Sequence, residues 1–328
     1  MPVSNSRCQQ KLRCVSLDNN VCWSLLRLLS PMKVFLTGAT GFVGSHLLRR
    51  LLSDGHQVRA LVRANRSIPD QGWGTLEQVE GDLSSKELAG YMAACDATIN
   101  LVGIICEQGS STFETVHHLG TLSLVNAARK AGVHRFVQMS ALGARASNAT
   151  AYHLTKFAAE EEVRNSGIPY VILRPSLIFG PGSAFIQQMI DTMKPVPFVR
   201  PVAGTGEYRF QPIHIEDVIE CFTQSLTNAI ALGKTIELVG PEQVTLKEIT
   251  DAIAACMKVR KVPVHIPMPL MKAAAMVFSV LPIKPPVTLA QLRMLEEGSV
   301  ADAAQMRETF NITPAGFREA LKNDFGSL

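Results

Sequence analysis

Residues 36–48 read LTGATGFVGSHLL. Gly38, Gly41 and Gly44 follow at three-residue steps, directly behind the apolar run KVFLT (33–37). Ahead of them the apolar spacing predicts a helix over Val43–Leu52. In that position each glycine has a task. Gly38 permits a tight turn. Gly41 lets backbone amides approach a pyrophosphate, and Gly44 lets the helix pack close to the strand. The helix N-terminus turns partial positive charge toward the phosphates. Thr40, Phe42 and Val43 belong to the same candidate cofactor loop. A loop that is glycine-rich only for turning is the alternative. Its place between a first strand and a first helix argues against that.

Outward from this loop, short β-rich runs alternate with helical patterns. Strands are expected at 57–62, 76–82, 97–102, 135–140, 170–175 and 235–240. Helices are expected at 112–131, ended by Gly132, and at 151–166, ended by Gly167 and Pro169. Near-continuous apolar strands between helices imply a parallel sheet covered on both faces. The expected fold is α/β, a Rossmann-type doubly wound parallel sheet with a smaller C-terminal substrate lobe. Its parts are an extension over 1–31, expected to be poorly ordered, a nucleotide-binding domain over 32–175, and a lobe over 176–328. In the lobe, Thr245 and Glu248 have the spacing of a capping box.

With 47% hydrophobic and 18% charged residues in 328, the chain is a globular one. Of the net charge of +4, residues 1–31 carry +3, so the rest is nearly neutral and shows no nucleic-acid-binding face. The seven cysteines form no CxxC pair, which points to reduced thiols and to no metal site. Residues 1–31 read either as a targeting segment or, preferably, as an upstream extension of a domain that starts at Met32. A cytoplasmic protein, peripheral to a membrane at most, is the expectation. Residues 266–282, IPMPLMKAAAMVFSVLP, carry one charge, Lys272. They read as a buried helix, or as a patch meeting a membrane or a protein partner.

The second strand ends ALVRANRS, with Arg63 at its tip, Arg66 beyond, and no acid. A guanidinium suits a 2′-phosphate, so NADP(H) is favoured over NAD(H); a merely solvated Arg63 is the alternative. Asp82 and Leu83, after the third strand, are placed to frame an adenine, while Asp82 could equally cap the next helix. Val102 and Gly103 end the fourth strand, where glycine lets backbone run beside a cofactor.

Together TGATGFVG, GDL, SALGA, YHLTK, LRPSLIFGPG and QPIHIEDV resemble the landmarks, in order, of the short-chain dehydrogenase/reductase superfamily, in its extended and atypical, epimerase/dehydratase-like branch. NLVG, SALGA and RFQPIHIEDV are most similar to the subgroup holding the NADPH-binding accessory subunit of respiratory complex I. The resemblance spans nearly all of 32–328. It implies Tyr152 as general acid/base, its pKa lowered by Lys156 and the nicotinamide, with Lys156 also clasping the ribose. Four-residue spacing puts both on one helix face. The family's Ser or Thr falls on Ser140, or an alternative alignment puts Ala141 there. Its frequent Asn before GT is replaced by His117, which questions its water relay. Pro175 and Leu177 are implied beside the nicotinamide. Arg174 reads as a strand-end residue, Asp217 as a helix cap or substrate contact, and His214 as core or site wall. Homodimerisation through 112–131 and 151–166 is implied as well.

Two functions follow from the resemblance and a third from the apolar run at 266–282. One is hydride transfer at a carbinol or carbonyl carbon of an unidentified small molecule. The second is an NADPH-holding structural or assembly protein of a respiratory complex. The third is a membrane-peripheral reductase of quinones or lipids that uses 266–282.

Overall fold

The computed structural model describes residues 31–69, 72, 74–195, 198–279 and 287–326. The expectations for 1–30 and for 280–282 fall outside these. From Met32 the chain forms one compact unit. Seven strands build its central sheet: β1 (Lys33–Thr37), β2 (Gln57–Val62), β3 (Leu76–Glu80), β4 (Ala97–Asn100), β5 (Arg135–Met139), β6 (Tyr170–Pro175) and an edge strand, Thr235–Leu238. The order is edge strand, β6, β5, β4, β1, β2, β3. Every pair is parallel.

Alternation along β1 explains the layers. Val34 and Leu36 face one core, with Leu47, Leu51, Ile219 and Phe222 from the helices Phe42–Ser53 and Ile215–Gln224. Phe35 faces the other, with Met92, Leu124, Ala128 and Val163. The order reverses between β1 and β4, so a crevice opens beyond their carboxyl ends, where doubly wound sheets bind ligands. After β6, Phe179, Ile186, Ile190, Ile249, Ile253 and Phe317 build a separate core for the lobe. The Thr245–Glu248 capping box forms in full.

Three strands stop two residues earlier than the sequence suggests, each for a local reason, and β5 stops one earlier. β3 ends at Glu80 because Asp82 accepts from the Ser84 amide (2.8 Å) and turns the chain. β4 ends at Asn100, whose side chain takes the Val102 amide (3.3 Å). Past Leu238 the chain is drawn toward the lobe, where the Gly240 amide donates to the Gln211 carbonyl (3.3 Å). The long helix expected over 112–131 is divided. Glu114–Leu119 form a wide π-turn, and the α-helix runs over Gly120–Ala131. Such turns commonly sit at functional sites. Met268–Ser279 form a helix that is not wholly buried: Met268 and Ala275 pack inward, while Leu270, Met276 and Val277 are exposed. No helix of the described residues is long and apolar enough to cross a membrane.

Candidate functional site

The crevice floor is set by the glycine loop. Gly38 adopts φ +75°, which favours glycine, and the Gly41 amide closes the turn on the Gly38 carbonyl (3.0 Å). A Cβ on Gly44 would collide with that carbonyl, so the helix can reach the strand only with glycine here. Val43 is buried, Phe42 half-buried, and Thr40 and Gly41 are exposed at the mouth. No side chain caps this helix, so its leading amides stay available to an anion. These features fit a dinucleotide pyrophosphate.

Around the floor, Arg63 and Arg66 are exposed on one tight turn, the Arg66 amide donating to the Arg63 carbonyl (3.0 Å). Asp82 is exposed, and hydrogen bonds from Ser84 hold its carboxyl below the usual range. It caps a serine turn, not a helix. Leu83 presses on Gly120 and so fixes the turn to the long helix. Sequence reasoning missed Asn100, which sits buried at the end of β4. It accepts from Thr37 (2.7 Å) and donates to Gln138 (3.0 Å) and Thr121 (3.2 Å). This network ties β1, β4, β5 and the long helix together beneath the crevice. A lone Asn ending an apolar strand was the available signal.

The helix Ala151–Arg164 carries the candidate pair, Tyr152 and Lys156. Thr150 caps it, accepting from the His153 amide (3.3 Å). Lys156 is buried and points at Gly103: a Cβ there would lie 2.9 Å from Nζ and 3.6 Å from His117 Nε2. The ammonium's one hydrogen bond runs to the Met139 carbonyl (3.3 Å). Burial draws its pKa down to about 8, opposed by the charge of Glu160. Glu160 is fully buried one turn on and pairs with Arg164 and Arg174, each at 2.6 Å. Arg174 is therefore more than a strand end.

Tyr152 is half-buried, its ring edge-on to Phe113, His117 and His153 at 5.7, 5.3 and 5.2 Å. Burial pushes the phenol up to about 12. This is opposite to the lowering that the resemblance implied. In the protein alone, desolvation governs the phenol. Ser140 is buried just past the end of β5, next to Met139, whose carbonyl takes the Lys156 ammonium; its amide donates to the Leu173 carbonyl of β6 (2.7 Å), and its hydroxyl has no partner. Such an orphaned hydroxyl suits a site that expects a ligand.

His117 is buried, stacked on Phe113 at 5.5 Å. Its Nε2 lies 3.0 Å from the Ile104 amide and 3.1 Å from the Ile104 carbonyl; the Thr155 hydroxyl spends its own proton on the Ala151 carbonyl (2.9 Å), so Nδ1 carries the ring proton and donates to Thr155 (3.0 Å). Burial and then the Lys156 charge depress its pKa to about 3. His117 is a neutral strut at working pH.

Pro175 and Leu177 separate. Pro175 is buried at the end of β6, its carbonyl accepting from the Leu142 amide (3.0 Å). Leu177 packs on the lobe core. His214 pairs with Asp324 (3.0 Å), and Asp217 accepts from the Ala315 amide (2.9 Å), so both hold the C-terminal segment. A further link was not legible in sequence: Glu297 of the helix Leu289–Glu297 reaches His153 (3.1 Å) and Arg145 (3.4 Å), fastening the lobe beside Tyr152.

This geometry has relatives. The chain is 30% identical over 246 residues, 73% of its length, to the Arabidopsis thaliana protein named NADH dehydrogenase [ubiquinone] 1 alpha subcomplex subunit 9, mitochondrial. It is 34% identical over 185 residues, 56% of its length, to a ceramide reductase of Caulobacter vibrioides. It spans 61% and 57% of these relatives' own lengths. The UDP-glucuronic acid 4-epimerase of Bacillus cereus, solved with UDP-glucuronic acid and NAD, shares the fold. Its TM-score is 0.69 at 19% identity, over 90% of this chain and 98% of that one. The family model described as NAD dependent epimerase/dehydratase matches residues 34–238, from the first strand of the sheet to the end of its edge strand. That stretch carries both the glycine loop and the Tyr152–Lys156 helix, and the chain belongs to the NAD dependent epimerase/dehydratase family.

Proposed function

We propose that the protein is an NADP(H)-dependent oxidoreductase that moves a hydride at a carbinol or carbonyl carbon. The observation that carries this reading is Lys156: a buried ammonium with three donors, one of them given to the Met139 carbonyl, aimed at the crevice. Unsatisfied buried donors are costly, and ribose hydroxyls are the acceptors such a crevice would supply. Gly38, Thr40, Gly41, Phe42, Val43 and Gly44 would hold the pyrophosphate, and Asp82, Leu83, Val102 and Gly103 the adenosine and ribose sides. Pro175 would flank the nicotinamide, with Leu177 acting from the lobe behind it. Arg63, with Arg66, supports the preference for a 2′-phosphate. The bound dihydronicotinamide supplies the hydride. Tyr152, protonated at neutral pH, gives its proton to the oxygen of the carbonyl being reduced, and Ser140 polarises that oxygen. Lys156 holds the ribose and, once the site is closed by ligand, eases the phenol's ionisation.

The test is NADPH consumption across a carbonyl panel with wild type and Tyr152→Phe. Loss of turnover by at least about a hundredfold in the variant, with nucleotide binding retained, is expected. A wild type inert on every carbonyl, bound to NADPH as firmly as the variant, would sink the enzyme reading.

A second reading, nucleotide binding without turnover in a respiratory assembly, draws on the relative named as a subunit of NADH dehydrogenase and on the exposed Leu270, Met276 and Val277. That face would rest on a membrane or a partner subunit, which flotation with liposomes tests. Exposed Leu119 and Leu154 favour a homodimer through the two helices beside the site.

A further inference from the structure

A cavity of about 220 Å3 lies between the loop that follows β4 and the lobe helices, with Phe113, Cys106, Ala275, Leu289 and Ala290 in its wall. Phe113 is the ring that stands edge-on to Tyr152 at 5.7 Å, so the cavity lies one side chain from the candidate acid. Its polar wall residues are occupied. The Glu107 carboxylate accepts from the Phe113 amide (2.8 Å). Thr288 closes a capping box with Gln291. No lysine or arginine lines it. Lys272, the one cation of the roofing helix, is paired with Glu296 at 2.7 Å.

A diphosphate needs cations, and this wall offers none; its one charged group, the Glu107 carboxylate, repels an anion. An uncharged hydrocarbon group needs only apolar contact. The volume is below the 300–1,000 Å3 of ordinary ligand pockets, so the cavity takes one portion of a molecule, not all of it.

We infer that this cavity receives an uncharged apolar group, an alkyl chain or hydrocarbon ring, attached to the reacting carbonyl carbon, and that sugar nucleotides are not its ligands. The inference rests on the reductase reading for the reaction, but the cavity's preference is measurable without turnover.

Cys106 is half-buried in the cavity wall and reports occupancy. The full chain with NADPH is labelled by N-ethylmaleimide, and the modified peptides are followed by mass spectrometry. With 2-undecanone, labelling of Cys106 is expected to slow at least fivefold, while half-buried Cys256, which lies in the lobe core, keeps its rate. UDP-glucuronic acid is expected to leave both unchanged. Ala290→Phe, checked for an unaltered NADPH thermal shift, should abolish the ketone's effect. Across methyl ketones of rising length, kcat/KM should climb about fourfold per methylene until the cavity is full. Undiminished labelling of wild-type Cys106 by the ketone, or protection by UDP-glucuronic acid equal to the ketone's, overturns the inference. Protection without NADPH consumption leaves the cavity's preference standing and defeats the reductase reading. Consumption of NADPH without protection does the reverse.

Discussion

The His117 imidazole and the Lys156 ammonium meet over Gly103: a methyl on that glycine would stand 2.9 Å from Nζ and 3.6 Å from Nε2. The pair explains both residues. Lys156 repels a proton from His117, and His117, locked neutral between Ile104 and Thr155, leaves Lys156 unpaired for a ligand. A residue that sequence comparison marks as a departure from the family is thus part of the lysine's support.

His117 is expected to resist protonation far into acid. In the unfolded chain it takes a proton near 6.5, but in the fold only near 3. The unfolded state therefore binds more protons in this window, and stability falls as pH drops from about 6.5 toward 3. His117→Asn should remove roughly 2 kcal/mol of the stability lost between pH 7 and pH 4.5, read by urea unfolding. Imidazole nitrogen shifts should show a neutral Nδ1–H tautomer at pH 5. A ring that titrates near 6.5 would contradict the strut.

Lys156 has the opposite reach on the pH scale. Its proton leaves near 8 in the fold against 10.5 in a free chain. Between these values the unfolded state holds more protons, so nucleotide-free stability rises with pH across that window, by on the order of 3 kcal/mol. Lys156→Met should flatten this rise and stabilise the nucleotide-free protein at pH 7. It should also weaken NADPH binding, measured by calorimetry. An unchanged pH profile in the variant would mean the ammonium is solvated.

Gly44 and Gly41 should respond differently to alanine. At Gly44 the new methyl meets backbone that cannot yield, whereas at Gly41 the nearest atom is the Gly38 carbonyl oxygen at 3.2 Å. Gly44→Ala is expected to cost about 3 kcal/mol of stability. Gly41→Ala should fold nearly normally and bind nucleotide at least tenfold more weakly, because its methyl occupies the anion's approach. Equal melting temperatures for the two variants would refute this division.

Arg63 and Arg66 are expected to set nucleotide choice. Replacing both by alanine should cost about 1.5–3 kcal/mol in NADPH affinity, roughly ten- to a hundredfold, with NADH affinity little changed. The comparison is made by thermal shift and calorimetry. Equal stabilisation of the wild type by NADH and NADPH would reject the 2′-phosphate role.

The glycine loop, the strand sequence and the YHLTK helix were legible because each depends on local rules. Glycine is needed where backbone crowds backbone, apolar runs mark strands buried on two faces, and four-residue spacing aligns side chains on a helix. The Thr245–Glu248 capping box was legible for the same reason. What the fold alone decided are relations between residues distant in the chain. Asn100 joins Thr37, Gln138 and Thr121 under the crevice, Glu160 takes two arginines, and Glu297 reaches back to His153. The apolar run at 266–282 shows the limit most plainly: hydropathy marked it, but only packing set Ala275 inward to the cavity and Leu270, Met276 and Val277 outward. Local chemistry dictates which backbone forms; burial, and with it the protonation of Tyr152, Lys156 and His117, is set by neighbours that only the folded chain assembles.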